Sequence, residues 1–271
     1  MERINILNQD NREIISLGSQ KSEYFVCNLK EANFPLQIVI NENSNVDLLL
    51  LEPSELVELT FEVKDNASLH LAILAHNVVK SFKITANVGQ NAHFSSHFAD
   101  FIVSKSKGEV AVNLNKQGAT CDWHLASLTE KNEYKEFDVS VYHNSPNTFA
   151  QLDNYGVCRD EGKLVFSGIC KINNGSHGSK AHQNAKIMVF DEKSDGIAKP
   201  ILKIDENDIE ASHAAVVGKI NDEHIFYLTS RGLTEEEAKR LITLGYLKPI
   251  LQGFVDEDVK ETIERLIEGK M

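Results

Sequence analysis

Residues 64–120 read KDNASLHLAILAHNVVKSFKITANVGQNAHFSSHFADFIVSKSKGEVAVNLNKQGAT. Three short pieces of this stretch resemble one another: Lys64-Asp-Asn-Ala-Ser68, Gly89-Gln-Asn-Ala-His93 and Lys116-Gln-Gly-Ala-Thr120. Each places Asn or Gly before an Ala and then enters a strand-like run. Asn and Gly tolerate the left-handed backbone that a tight corner needs, and the Ala follows where the chain turns inward. Asn43-Ser44 is a degenerate fourth copy. From Ser44 through Ala67 and Ala92 to Ala119 the spacings are 23, 25 and 27 residues. A repeat of this length, with no helical period inside it, signals stacked coils of strands. The expected fold is mainly β, a right-handed parallel β-helix (β-solenoid). A β-sandwich competes, because spaced strands with turns read that way too.

The pattern extends in both directions. Strand-like runs rich in Val, Ile, Leu and Phe fall at 24–29, 36–40, 46–51, 57–63, 68–74, 82–88 and 92–98. Others follow at 110–114, 123–128, 137–142, 164–171, 185–190, 201–204, 214–220 and 225–228. Residues 1–20 are polar and read as an edge strand or a loose lead-in. The tail changes character. Thr234-Glu-Glu-Glu237 has the form of a capping box, opening a helix expected over 235–244 with Gly245 at its C′ position. A second helix is expected from Asp256, with Val259, Ile263, Leu266 and Ile267 as its apolar stripe. The chain thus divides into a β-helix core over 1–229 and a short helical subdomain over 230–271. One reading has the helices cap the open end of the solenoid, whose edges would otherwise be unpaired. The other makes them a docking surface.

The 271 residues carry a net charge of −12, and 42% are hydrophobic. A core of ordinary size is expected, and a basic nucleic-acid footprint is not. Charges interrupt every apolar run near the N-terminus, so no signal peptide is expected, and no run approaches a membrane span. Cys27, Cys121, Cys158 and Cys170 are widely spaced with no CxxC. A cytoplasmic protein with reduced thiols is the expectation.

Few side-chain constellations suggest chemistry. His93-Phe-Ser-Ser-His97 has the spacing of a helical metal pair, but on a strand its imidazoles lie about 13 Å apart and cannot share one ion. Cys121 and His124 fall on opposite faces of a strand. His177 and His182 sit near a glycine-rich turn and read as solvated polar residues. There is no P-loop, GxSxG or HExxH. A carbohydrate-acting β-helix enzyme would need convergent carboxylates, and the acidic residues fall mostly in turns.

The densest stretch of non-generic sequence is 200–233, PILKIDENDIEASHAAVVGKINDEHIFYLTSRGL. Ser212-His-Ala-Ala-Val-Val-Gly-Lys-Ile-Asn221, an acidic residue, then Ile225-Phe-Tyr-Leu and Ser230-Arg-Gly-Leu233 resemble the C-terminal signature of the SufB/SufD family of iron–sulfur cluster assembly proteins. Gly162-Lys-Leu-Val-Phe-Ser-Gly168 and Ala181-His-Gln183 are similar to the family's penultimate coils. The resemblance covers about 162–246. It is nearer SufD than SufB, because no Cys precedes Pro200 and Ala214 stands where SufB carries Glu. The chain departs from SufD at Ala214, usually Gly, and at Ala211, where some members have Cys.

The resemblance implies a reduced SufD: a non-catalytic scaffold of the SUF system, with SufB and the SufC ATPase as partners. It implies no tightly bound cofactor in the isolated chain and a transient iron–sulfur cluster in the complex. His213 is then the candidate ligand to the nascent cluster, at the SufB interface. Arg231, Leu241, Ile242, Val259, Ile263 and Leu266 become candidates for SufC docking. A SufB-like scaffold acting as a homodimer with SufC is the alternative. A structural partner in which His213 is incidental also stays open, as does a homodimer of the isolated chain.

Overall fold

The computed structural model describes residues 4–5, 14–19, 22–32 and 34–270. Strands β1 (Ile4–Asn5), β3 (Ser22–Asn28), β5 (Asn45–Leu51), β7 (Ser68–Ala75), β9 (His93–Asp100), β11 (Thr120–Thr129), β13 (Phe149–Cys158), β15 (Ser179–Val189) and β17 (Ile209–Lys219) form one sheet in that order. The even strands form the other: β2 (Ile14–Leu17), β4 (Leu36–Ile40), β6 (Leu56–Val63), β8 (Ser81–Val88), β10 (Ser106–Leu114), β12 (Tyr134–His143), β14 (Lys163–Ile172) and β16 (Asp195–Ile204). The pairings within both sheets are parallel, as β10–β12 and β11–β13 illustrate. The chain therefore alternates between two facing sheets, one strand to each per coil. This is a flattened β-solenoid, not a sandwich.

The corners are built as the repeat predicts. Asn66 and Asn91 have φ of 57° and 49°, and Gly118 has 73°. Ala67, Ala92 and Ala119 after them are buried. Two further copies escaped the sequence reading because Thr148 and Ser179 replace the Ala. Their corner residues, Asn147 and Gly178, also have positive φ, of 56° and 68°. Successive corners are joined through the backbone, with Asn66 N–H donating to Gln90 C=O, Asn91 to Gln117, and Asn147 to His177. Side chains add ladders on the same axis: Asn173 donates to Asn144, which donates to Asn115.

Alternation fills the interior. In β12, Phe137, Val139 and Val141 point inward, in register with Phe166, Gly168 and Cys170 of β14. Aromatic rings stack along the axis, with Phe98 edge-on to both Trp123 and Phe137. Two charges lie wholly inside: Lys135 Nζ is 3.1 Å from Asp100 Oδ2 and donates to Leu128 C=O. Ser127 Oγ donates to the same carboxylate.

Three helices follow the last strand: α1 (Asp222–Ser230), α2 (Glu235–Leu247) and α3 (Glu257–Gly269), with a 3-10 helix at Lys248–Gly253. The run at 225–228 is thus helical, not a strand. Asn221 caps it by accepting from Glu223 N–H, and Asp222 and Glu223 suit its first turn. The Thr234–Glu237 capping box forms as expected. The helix then runs past Gly245, which lies inside it, because Tyr246 and Leu247 have an apolar surface to cover.

That surface also corrects the placement of the helices. They do not cap the solenoid's end. Leu247, Ile250, Leu251, Phe254, Ile263 and Ile267 pack on the outer face of the odd-strand sheet, against Leu49, Ala72, Leu74, Ala99, Phe101, Ala126, Leu128 and Val157. Lys270 anchors the far end of α3, donating to Glu133 at 2.9 and 3.0 Å, while Arg159 donates to Lys270 C=O. The signal was present in the strands: 48–51 (LLLL) and 71–75 (LAILA) are apolar without alternation, as strands covered on both faces must be.

Candidate functional site

With the helices elsewhere, the C-terminal end of the solenoid is open. β16 and β17 are the last strands of their sheets, each with one paired and one unpaired edge. Register with β15 puts Ala211, His213, Ala215 and Val217 of β17 opposite Ala181, Gln183, Ala185 and Ile187, the inner-face positions. No further coil covers them, so His213 is exposed although it occupies a core column. Ile197, Ile201 and Ile204 of β16 and Val216 and Val217 of β17 are also substantially exposed. Large aliphatic side chains on an unpaired edge form a surface that water covers poorly.

One rung below His213, Gln183 is buried. Its Nε2 donates to Ile201 C=O across the interior at 2.9 Å, tying β15 to β16. Its Oε1 reaches Gly168, where a Cβ would come within 2.4 Å. The small residue at 168 is therefore what makes room for the clamp beneath the open end. On the outer face, His182 Nδ1 shares a hydrogen bond with Ser212 Oγ at 2.8 Å, and Lys180 pairs with Glu210 at 2.9 Å. His182 thus lies in strand β15, near the glycine-rich turn that precedes it.

The thiols offer little to a metal. All four cysteines are free and buried. Burial pushes Cys27 and Cys170 up to about 12 and Cys158 up to about 11, and it raises Cys121 well above its ordinary value. None is a thiolate near neutrality. Cys121 and His124 do lie on opposite faces of β11, Cys121 in the interior.

The candidate docking residues separate into two groups. Ile263 is fully buried against the solenoid, with Val259 and Leu266 packed beside it. The apolar stripe of α3 therefore faces the protein's own sheet. Arg231 and Leu241 are exposed and Ile242 is half-buried. The Arg231 guanidinium lies 5.2 Å from the Tyr227 ring centre. α1 has no buried residue, and Phe226 and Tyr227 are 73% and 57% exposed. Sequence reading missed this aromatic pair because it placed 225–228 in a strand.

Residues 32–246 match the family model described as SUF system FeS cluster assembly, SufBD core domain. The chain is 33% identical over 163 residues to the iron–sulfur cluster assembly protein SufD of Bacillus subtilis, covering 60% of this chain and 37% of that protein. It is 28% identical over 145 residues to SufB of the same organism, covering 54% of this chain and 31% of that protein. A SufBD family protein of Mycobacterium tuberculosis is 31% identical over 141 residues, covering 52% of this chain and 16% of that protein. The matched stretch spans about a third of SufD or SufB. A two-sheet parallel solenoid ending in the SHAAVVGKI strand, matched by this model over most of its length, belongs to the SufB/SufD family of the SUF iron–sulfur cluster assembly system, and it is most like SufD.

Proposed function

We propose that this chain is a SufD-like, non-catalytic scaffold subunit of a SUF complex. Its open solenoid end pairs with SufB, and its helical segment holds the SufC ATPase. The observation that carries this reading is the end itself: two unpaired parallel edges, an aliphatic rim and an exposed imidazole in one place. A partner with a matching edge would extend both sheets and remove the rim from water. Nucleotide chemistry belongs to SufC, and the nascent cluster is cargo rather than a resident group. His213 contributes one imidazole to that cargo at the joint, a competent donor to iron. The SufC contact rests on Arg231, Leu241, Ile242 and the aromatic face of α1, since the α3 stripe is used internally.

The test is recovery of partners with edge variants in the co-expressed complex. Val217→Asp puts a charge on the rim; it should lose SufB and keep SufC. His213→Ala should keep both partners and lower the yield of reconstituted cluster. SufB recovered in full with Val217→Asp would place the joint elsewhere. An unchanged cluster yield with His213→Ala would remove the ligand role.

A further inference from the structure

The HxxxH pair of β9 plays no part in the reading above, and the fold shows that its two imidazoles serve different neighbourhoods. His93 lies beside His70 of β7, ring centres 5.5 Å apart, and its Nε2 is 3.7 Å from Asp122 Oδ2 of β11. His97 stacks on His124 of β11 at 4.5 Å, and His124 Nδ1 is 3.7 Å from Asp153 Oδ2 of β13. Each neighbourhood draws a His, a His and an Asp from three successive coils. The second arrangement is the more enclosed. His97, His124 and Asp153 share a cavity of about 180 Å³ with Tyr155, Tyr246 and Gln252, between the sheet and the C-terminal segment.

Several features of this cavity fit a cation. A gap of 3.7 Å between His124 and Asp153 is too wide for a hydrogen bond. Two donor–metal bonds of about 2.1 Å each would span it at a bent angle. Asp153 is already oriented from behind: Gln151 Nε2 donates to both its oxygens at 3.1 Å, and Asn184 Nδ2 donates to Oδ1 at 2.8 Å. Oδ2, the atom facing His124, carries the lighter load. Such supporting bonds fix a ligating carboxylate. His97 stacks on His124 and forms one wall of the cavity. Among the described residues no three His, Cys, Asp or Glu side chains converge on one point as they stand. With two protein donors, waters would have to fill the remaining coordination positions, and the cavity is large enough to hold them.

We propose that His124 and Asp153 form a binding site for a divalent first-row transition-metal cation. One imidazole and one carboxylate, with no thiolate, favour Fe²⁺, Co²⁺ or Zn²⁺ over Cu⁺, and the imidazole disfavours Ca²⁺ and Mg²⁺. The site lies on the outer face of the sheet, apart from His213, and does not depend on the scaffold reading.

Titration of the metal-free full chain with Co²⁺, followed by its visible absorption, tests the site. A band saturating with the cavity site is expected. Asp153→Asn and His124→Gln should each weaken it at least tenfold, and Asn184→Ala should weaken it about tenfold through the carboxylate it orients. Asp122→Asn should leave it in place. Circular dichroism checks that each variant is folded, and Asp153→Asn is isosteric should His124→Gln fail that check. Absence of any Co²⁺ band, or a band that survives both ligand substitutions, would overturn the proposal.

Discussion

His143 is buried inside the solenoid, with Nδ1 bonded to Thr148 Oγ1 at 2.7 Å. Burial holds its pKa down to about 4. The unfolded chain takes up that proton near 6.5. Between those values the unfolded state binds more protons, so stability is full above about pH 6.5 and falls as pH drops towards 4. His97 acts in the same direction. Each fully shifted histidine contributes a slope of at most about 1.4 kcal/mol per pH unit. Urea midpoints at pH 7 and pH 5 should therefore differ more for the native sequence than for His143→Gln; equal differences would remove His143 from the account. Burial lowers the pKa of Lys135 as well, and the Asp100 carboxylate beside it acts in the other direction. Lys135→Met strands the Asp100 carboxylate and should cost about 3–5 kcal/mol, read from the same denaturation curves. Neither residue was legible in the sequence. Nothing in His143-Asn-Ser or Tyr134-Lys-Glu marks the column that a side chain enters; that depends on which strand lies opposite.

At the scale of elements, corners and caps were legible and the interior partners of strands were not. The Asn-Ala and Gly-Ala steps predict corners because few residues accept a positive φ. Gly118→Ala tests that directly. It forces a Cβ to within 2.3 Å of Asn91 Oδ1 at a φ of 73°. The backbone alone should cost about 1–2 kcal/mol, and the clash adds to it; a variant as stable as the native chain would contradict the corner's role. Thr234→Ala removes the hydroxyl that accepts from Glu237 N–H, while the backbone N–H at 234 can still donate to the Glu237 carboxylate; the loss should cost about 1 kcal/mol, seen as faster amide exchange in the first turn of the helix. β13 escaped the sequence reading. Phe149-Ala-Gln-Leu-Asp-Asn-Tyr-Gly has its polar residues on the outer face and an interior Asn154, which accepts from Trp123 Nε1 at 3.1 Å. An interior amide breaks the apolar alternation on which strand recognition depends. The run at 225–228 erred the other way: Ile, Phe, Tyr and Leu suit a strand, yet the Asn-Asp-Glu before them caps a helix.

At the scale of the molecule, the repeat announced the solenoid, and the signature at 212–233 announced its family. The course of the helices over the outer face was not announced, because amphipathic stripes do not say which surface they cover. That course leaves the solenoid's end open, with His213 in a core column that ends in solvent. The central claim is that this end is a joint for a different chain of the same architecture. Its most direct test is mass by light scattering under anaerobic conditions, after co-expression with SufB and SufC of the same genome and purification through a tag on this chain. The account predicts one SufB, two SufC and one copy of this chain. A symmetric assembly of two copies with two SufC and no SufB would contradict it and make the open end a self-pairing surface.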